Sequence, residues 1–196
     1  MSEVEILHKK LFSVLLILLL IFTSTVLAVE NAQQLESAEK LLALGIVTGY
    51  EDGSLKLENL ITRAEFTALI VRLLPKQYDI ESYEKDTIFS DVTKEHWASK
   101  YINIAVEEGL LNGYGDGTFK PDRKISYDEV LAVLVRILGY DKSLDKDKEW
   151  PLNYIDKATE LGIVDNMVIP AEAKIPRGDV FVLVDNSLLI KLNKKY

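Results

Sequence analysis

Three short stretches hold the residues with the most chemical potential: "ITRAEF" (Ile61 to Phe66), "ISYDEV" (Ile125 to Val130) and "IPRGDV" (Ile175 to Val180). In the first, Thr62 and Glu65 have the spacing of a capping box, in which each side chain satisfies an orphan amide of a helix start. Arg63 has no part in that box. A guanidinium can grip a carboxylate with two parallel hydrogen bonds, which suits it to an acidic ligand or an internal partner. At 100° per residue, Arg63 falls on the same side of the helix as Ile70 and Leu74, while Glu65 and Arg72 lie nearly opposite. It therefore points from the first turn towards the packed side. Arg177 stands equivalently beside Val184 and Leu188, whereas the middle stretch has Tyr127 there.

A bare guanidinium in a core is costly, so such an arginine either pairs with a carboxylate, Asp91 or another, or lines a groove mouth open to an anion. The residues alone leave both open. A helix start with free amide donors and a partial positive charge would favour the anion.

Other chemistries find less support. The chain has no cysteine, and of its two histidines only His96 lies beyond the first 28 residues. A Cys/His zinc site is excluded there, and a Ser-His-Asp arrangement would rest on one residue. Asp52 and Asp116, in "EDG" and "GDG", lack the alternating oxygen ligands of an EF-hand and read as turn residues. No carboxylate pair stands apart from the many surface acids, so neither an enzyme nor a cofactor is expected.

The elements that position these residues come from a repeat. "LGIVTGYEDGSLKLENLITRAEFTALIVRLL" (Leu44 to Leu74) aligns without a gap with "EGLLNGYGDGTFKPDRKISYDEVLAVLVRIL" (Glu108 to Leu138). A third copy, Leu161 to Ile190, matches after a deletion of three residues in its loop. Each copy predicts helix, loop, helix. First helices are expected at Ala32–Leu44, His96–Glu108 and Pro151–Leu161, each ending at a glycine, and second helices at Thr62, Ser126 and near Pro176. A two-helix unit cannot bury its own apolar face, so the copies should share one all-α body. Phe66, Ile70, Val130, Leu134, Val180 and Val184 are expected at its centre.

Lys9 and Lys10, the apolar run Leu11 to Phe22, interrupted only by Ser13, and the small residues ending at Ala28 read as a secretory signal with cleavage before Val29. The alternative is a retained anchor, which would add a membrane contact. The whole chain has a net charge of −8. Removing the signal leaves that unchanged, because Glu3 and Glu5 balance Lys9 and Lys10. Such an acidic protein is a poor partner for nucleic acid or an anionic membrane surface.

These residues resemble the S-layer homology family, modules usually found in threes that hold exported proteins to bacterial cell walls. The second copy carries "FSDV" (Phe89 to Val92), "HWA" (His96 to Ala98) and "GLLNGYGDGTFKPD" (Gly109 to Asp122), and the first carries "ITRAEF". The resemblance implies a signal at 1–28 and modules at 29–75, 86–140 and 149–196, packed as a pseudo-threefold bundle. Grooves between modules would bind an anionic, often pyruvylated, secondary wall polysaccharide. Arg63, Arg177, Trp97, Asp91, Gly49 and Gly113 are the implied ligand-binding candidates. Trp97 can stack on a sugar or serve as a packing anchor, and the two glycines bring backbone close to a neighbour or a ligand. No copy is complete: the first lacks the Phe-x-Asp-Val opening and any tryptophan, the second replaces the arginine with Tyr127, and the third lacks the opening and caps its helix with Pro176. At least one groove is thus expected to be degenerate. The chain ends soon after the third copy without a cargo domain, an expectation that leans towards the alternative of a scaffold binding another surface protein.

Overall fold

The computed structural model describes residues 8, 12–16, 32–74, 78–165, 167 and 169–193. Most of the segment read as a signal lies outside the described residues. Beyond it the helices are α1 (32–43), α2 (Arg63–Leu73), α3 (Ser99–Glu107), α4 (Tyr127–Ile137), α5 (Leu152–Glu160) and α6 (Arg177–Leu188). The fold is all-α, and among the described residues extended backbone pairs only at isolated bridges.

Local chemistry sets the boundaries. Thr62 and Glu65 form the capping box: the Glu65 amide donates to Thr62 Oγ1 at 3.1 Å, and the Thr62 amide to Glu65 Oε2 at 2.7 Å. Ser126 and Glu129 repeat it at α4. Pro176 has no such side chain, and its φ of −64° alone suits the start of α6. Each first helix stops at a left-handed glycine, Gly45, Gly109 or Gly162, with φ between 68° and 79°. The start of α3 differs from the expectation by three residues. His96 to Ala98 form a turn instead, in which the Ala98 amide donates to His96 Nδ1 and the Ser99 amide to the His96 carbonyl.

Around the centre, the loop of each copy docks on the second helix of another. Leu60 pairs with Pro176, Thr62 with Lys124 and Ser126 with Lys174, a closed cycle of antiparallel bridges. At each contact the first helical amide is taken by a loop carbonyl: Arg63 donates to Arg123, Tyr127 to Ala173 and Arg177 to Asn59, all at 2.9 Å. The Ala64 and Gly178 amides donate likewise to Pro121 and Leu57. The expected free donors at the helix starts are thus already used inside the protein, because a buried helix end must find partners for its first amides.

Outside this cycle, α2 packs on α3 and α4 on α5. From α6, Asp179 accepts from Gln34 Nε2 at 2.6 Å, which ties the third copy to α1 and closes the ring. Phe66, Ile70, Val130, Leu134, Val180 and Val184 are all fully buried in one core, as the repeat implied. Truncating a core residue in one copy should therefore weaken all three. Ile70→Ala and Leu134→Ala are each expected to cost about 2–5 kcal/mol. In calorimetry each should lower the midpoint of a single transition; a separate early transition for one copy would contradict the shared core.

Candidate functional site

A groove of about 800 Å³ opens where the first and third copies meet the second. The loop 46–56 forms one wall, Thr62, Glu65, Leu69 and Arg72 of the first copy form the floor, and Trp97 and Arg177 come in from the other copies. Of the six sequence candidates, it gathers Arg177, Trp97 and Gly49.

Arg177 is 7% exposed and is positioned by the first turn of α6. Its Nε donates to the Leu55 carbonyl at 3.1 Å, one terminal nitrogen lies 3.6 Å from Glu65 Oε1, and its guanidinium stands over the Tyr50 ring at 4.9 Å. Trp97 is 53% exposed, too open for a packing anchor, with Tyr101 beside it one turn along at 6.3 Å. Between them lies the least expected member, Arg72. Its guanidinium sits over Tyr101 at 5.0 Å and donates to the phenol at 3.0 Å, and among the described residues no carboxylate is within ion-pair distance of it. Lys56 pairs with Asp52 at 3.3 Å and rests over the Tyr50 ring. The groove thus offers an indole face beside two guanidiniums, a combination able to stack a sugar ring and to take an acidic substituent.

Glu65 organises the groove. Burial alone would raise its carboxyl, but the Tyr50 hydroxyl at 2.6 Å, the Thr62 bonds and the Arg177 charge outweigh burial and hold it below the ordinary range.

Arg63 occupies the equivalent place one junction further on, against the loop of the second copy. It is 3% exposed, donates from Nε to the Phe119 carbonyl at 2.9 Å and from Nη2 to the Asn112 carbonyl, and lies 3.5 Å from Glu129. Its carboxylate partner is therefore Glu129 and not Asp91. Asp91 instead accepts the Phe119 and Lys120 amides, each at 2.8 Å, and pins the second copy's own loop. Gly113 belongs to that loop: a Cβ there would meet Phe89 and stand 2.8 Å from the Thr118 carbonyl. Gly49 has no phenylalanine against it, since the first copy lacks the Phe-x-Asp-Val stretch; a Cβ there would stand 3.4 Å from the Ser54 carbonyl, and the position lines the groove. Asp52 and Asp116 are turn residues, accepting from the amide and hydroxyl of Ser54 and Thr118 respectively, which lowers each to a pKa of about 2.

The second junction repeats the aromatic and cationic set. Trp150, 49% exposed, lies 5.5 Å from Tyr154, and Arg136 sits over Tyr154 at 5.0 Å. The third does not: Tyr127, Asn186, Gln33 and Ser37 stand at the corresponding positions. There Asp185 accepts from Ser37 at 3.0 Å and Lys40 at 3.1 Å, and Asn186 donates to the Ile163 carbonyl, so the junction is a polar clasp. Tyr101 and Tyr50 are not among the sequence candidates, and Arg72 is placed there only on the far side of its helix. Their signal was recurrence: Arg72 with Arg136, Tyr50 with Tyr114, and a Trp-x-x-x-Tyr spacing at both Trp97 and Trp150.

The S-layer homology domain matches residues 32–67 and 88–131. The chain belongs to the S-layer homology family. Relatives include the middle cell wall protein of Brevibacillus brevis, 34% identical over 83% of this chain and 15% of that protein. A surface layer protein of Brevibacillus choshinensis is 33% identical over 83% of this chain and 14% of its own length. The cellulosome-anchoring protein of Acetivibrio thermocellus is 33% identical over 71% and 34% respectively. The chain thus spans about a seventh to a third of these relatives. Its S-layer homology modules place it with exported cell-surface proteins. Among the described residues no helix is long and apolar enough to cross a membrane.

Both capping glutamates predict an acid limit to stability. Burial would raise Glu129, but the Ser126 amide and hydroxyl and Arg123 hold it below the ordinary value, as their counterparts hold Glu65. A carboxyl depressed in the folded state contributes stability in full above its unfolded value, about 4.3, and loses it as pH falls through the folded value. Thermal midpoints should therefore drop below about pH 4.3, and Glu129→Gln should reduce the size of that drop while lowering the midpoint at pH 7.

Proposed function

We propose that this chain attaches non-covalently to an anionic secondary cell wall polysaccharide, and that the groove where the first and third copies meet the second is a principal binding site. The observation that carries this reading is the convergence of Trp97, Arg72 and Arg177 on one open groove. The indole stacks on the apolar face of a sugar, and Arg72, which has no carboxylate partner among the described residues, takes an acidic substituent such as a pyruvyl carboxylate. Arg177 shares its charge with Glu65 and sets the shape of the floor. Gly49 lets the polymer approach the loop backbone. Relatives named as cell wall, surface layer and anchoring proteins support wall attachment, and no step of the reading needs catalysis or a cofactor.

The test is co-sedimentation of the protein with purified cell walls, before and after extraction of the non-peptidoglycan polysaccharide. Binding should disappear with the polysaccharide; binding that survives extraction would favour a protein or peptidoglycan partner instead. Arg72→Ala and Trp97→Ala should each weaken binding roughly ten- to a hundred-fold, the equivalent of about 1.5–3 kcal/mol, with little change in thermal stability because both side chains are solvent-accessible. Tyr127→Phe, in the third junction, should bind like the parent protein.

A further inference from the structure

The first two junctions share their aromatic and arginine framework but differ in charge around the capping carboxylate. In the first, Glu65 meets one guanidinium, Arg177 at 3.6 Å. In the second, Glu129 meets two: Arg63 at 3.5 Å and Arg123, whose Nη1 lies 2.7 Å from Oε2. Arg123 also donates to the Tyr114 hydroxyl at 2.7 Å, and its side chain is 34% exposed. The equivalent residue in the first copy is Asn59. The match is structural as well as sequential, since the Asn59 carbonyl accepts the Arg177 amide just as the Arg123 carbonyl accepts that of Arg63. A second difference acts in the same direction. Glu51 lines the first groove, and Gly115 stands in its place in the second copy.

Apart from Arg72 and Arg136, which the two junctions share, one carboxylate facing one guanidinium cancels it in the first junction, while one facing two leaves a positive charge at the second, tempered by Asp128, whose charge also bears on Arg123. Arg136 stands close to the same site, donating to the Leu110 carbonyl at 3.1 Å and to Tyr154. A charge held partly out of water by such neighbours is screened less than an exposed one and attracts an anion more strongly.

We propose that Arg123 makes the two junctions unequal readers of one polymer: the second takes its most acidic unit, a carboxylate or phosphate, and the first a segment carrying less charge. This rests on the wall-polysaccharide reading above and specifies which part of the polymer each junction prefers. A single chain bound at both would gain affinity from the linkage itself, provided its acidic units recur at a spacing that spans the junctions.

The protein carries its own reporters, because its two tryptophans, Trp97 and Trp150, fall one in each junction. Their indole N–H resonances in a nitrogen-15 spectrum of the full chain should both move on titration with polysaccharide released from cell walls. Raising salt from about 0.1 M to about 1 M shortens the screening length from about 10 Å to about 3 Å. The Trp150 titration should then weaken at least roughly tenfold, and the Trp97 titration distinctly less. Arg123→Asn should abolish that difference. Asn59→Arg, which adds a charge at an exposed site and so does not depend on a fragile fold, should confer the stronger salt dependence on Trp97. Carboxyl-reduced and dephosphorylated polysaccharide identify the anion by which of them loses the Trp150 response. Equal salt dependence of the two indoles, or a Trp150 response unchanged by Arg123→Asn, would overturn the proposal and leave wall binding standing. If neither resonance moved, the wall-polysaccharide reading would fail and this inference with it.

Discussion

The amide at the start of each second helix is held by a carbonyl from another copy's loop, and the rest of the structure depends on that exchange. Arg63, Tyr127 and Arg177 donate in turn to Arg123, Ala173 and Asn59. Helix starts carry orphan donors that cannot be buried unsatisfied. By supplying each other's partners, the three copies can bring these ends into a common centre and bury their apolar faces together. None could do so alone, because each would leave its amides without partners and its apolar face in water. The same exchange carries the second-helix arginines into their positions, since the side chain that follows the held amide has to emerge beside the donor loop.

That geometry explains why Arg63 and Arg177 share a role without sharing an environment. Each lies against a loop and a capping glutamate belonging to another copy, and each is nearly buried. Their charges are largely engaged within the protein, through Glu129 and Glu65 and through loop carbonyls. The more available cation is Arg72, carried on the opposite side of α2 and set against Tyr101 of the second copy. The groove in this fold is thus a composite of three copies, and a substitution in one copy alters a junction to which the other two also contribute. The third junction shows the result: where arginine, tryptophan and tyrosine are absent, Gln34, Ser37 and Lys40 meet Asp179 and Asp185 and close the ring.

Much of this was legible in the sequence. The ungapped repeat, the capping boxes at Thr62 and Ser126 and the glycines after each first helix located the helices to within a few residues, because these signals are local chemistry. The burial of Arg63 followed from helical periodicity. What could not be read was the identity of partners across copies. The sequence offers Asp91 as a mate for Arg63, yet Asp91 serves its own loop, and Glu129 takes the arginine because the ring sets copy against copy. Arg72 was passed over for the same reason: periodicity placed it away from α2's buried side, but only the docking of α3 turns that side into a groove wall. The expected free amides at the helix starts also failed at this level, being consumed by contacts far apart in sequence.

The central claim is that the three copies exist only as a ring closed by these exchanged amides. Native-state hydrogen exchange tests it most directly. The amides of Arg63, Tyr127 and Arg177 should exchange only through global unfolding, with the same free energy as core amides such as that of Ile70, and all should respond alike to added denaturant. Exchange at any one of the three through a low-energy local opening, while the Ile70 amide remained protected, would show that the copies hold together without that contact and would contradict the account.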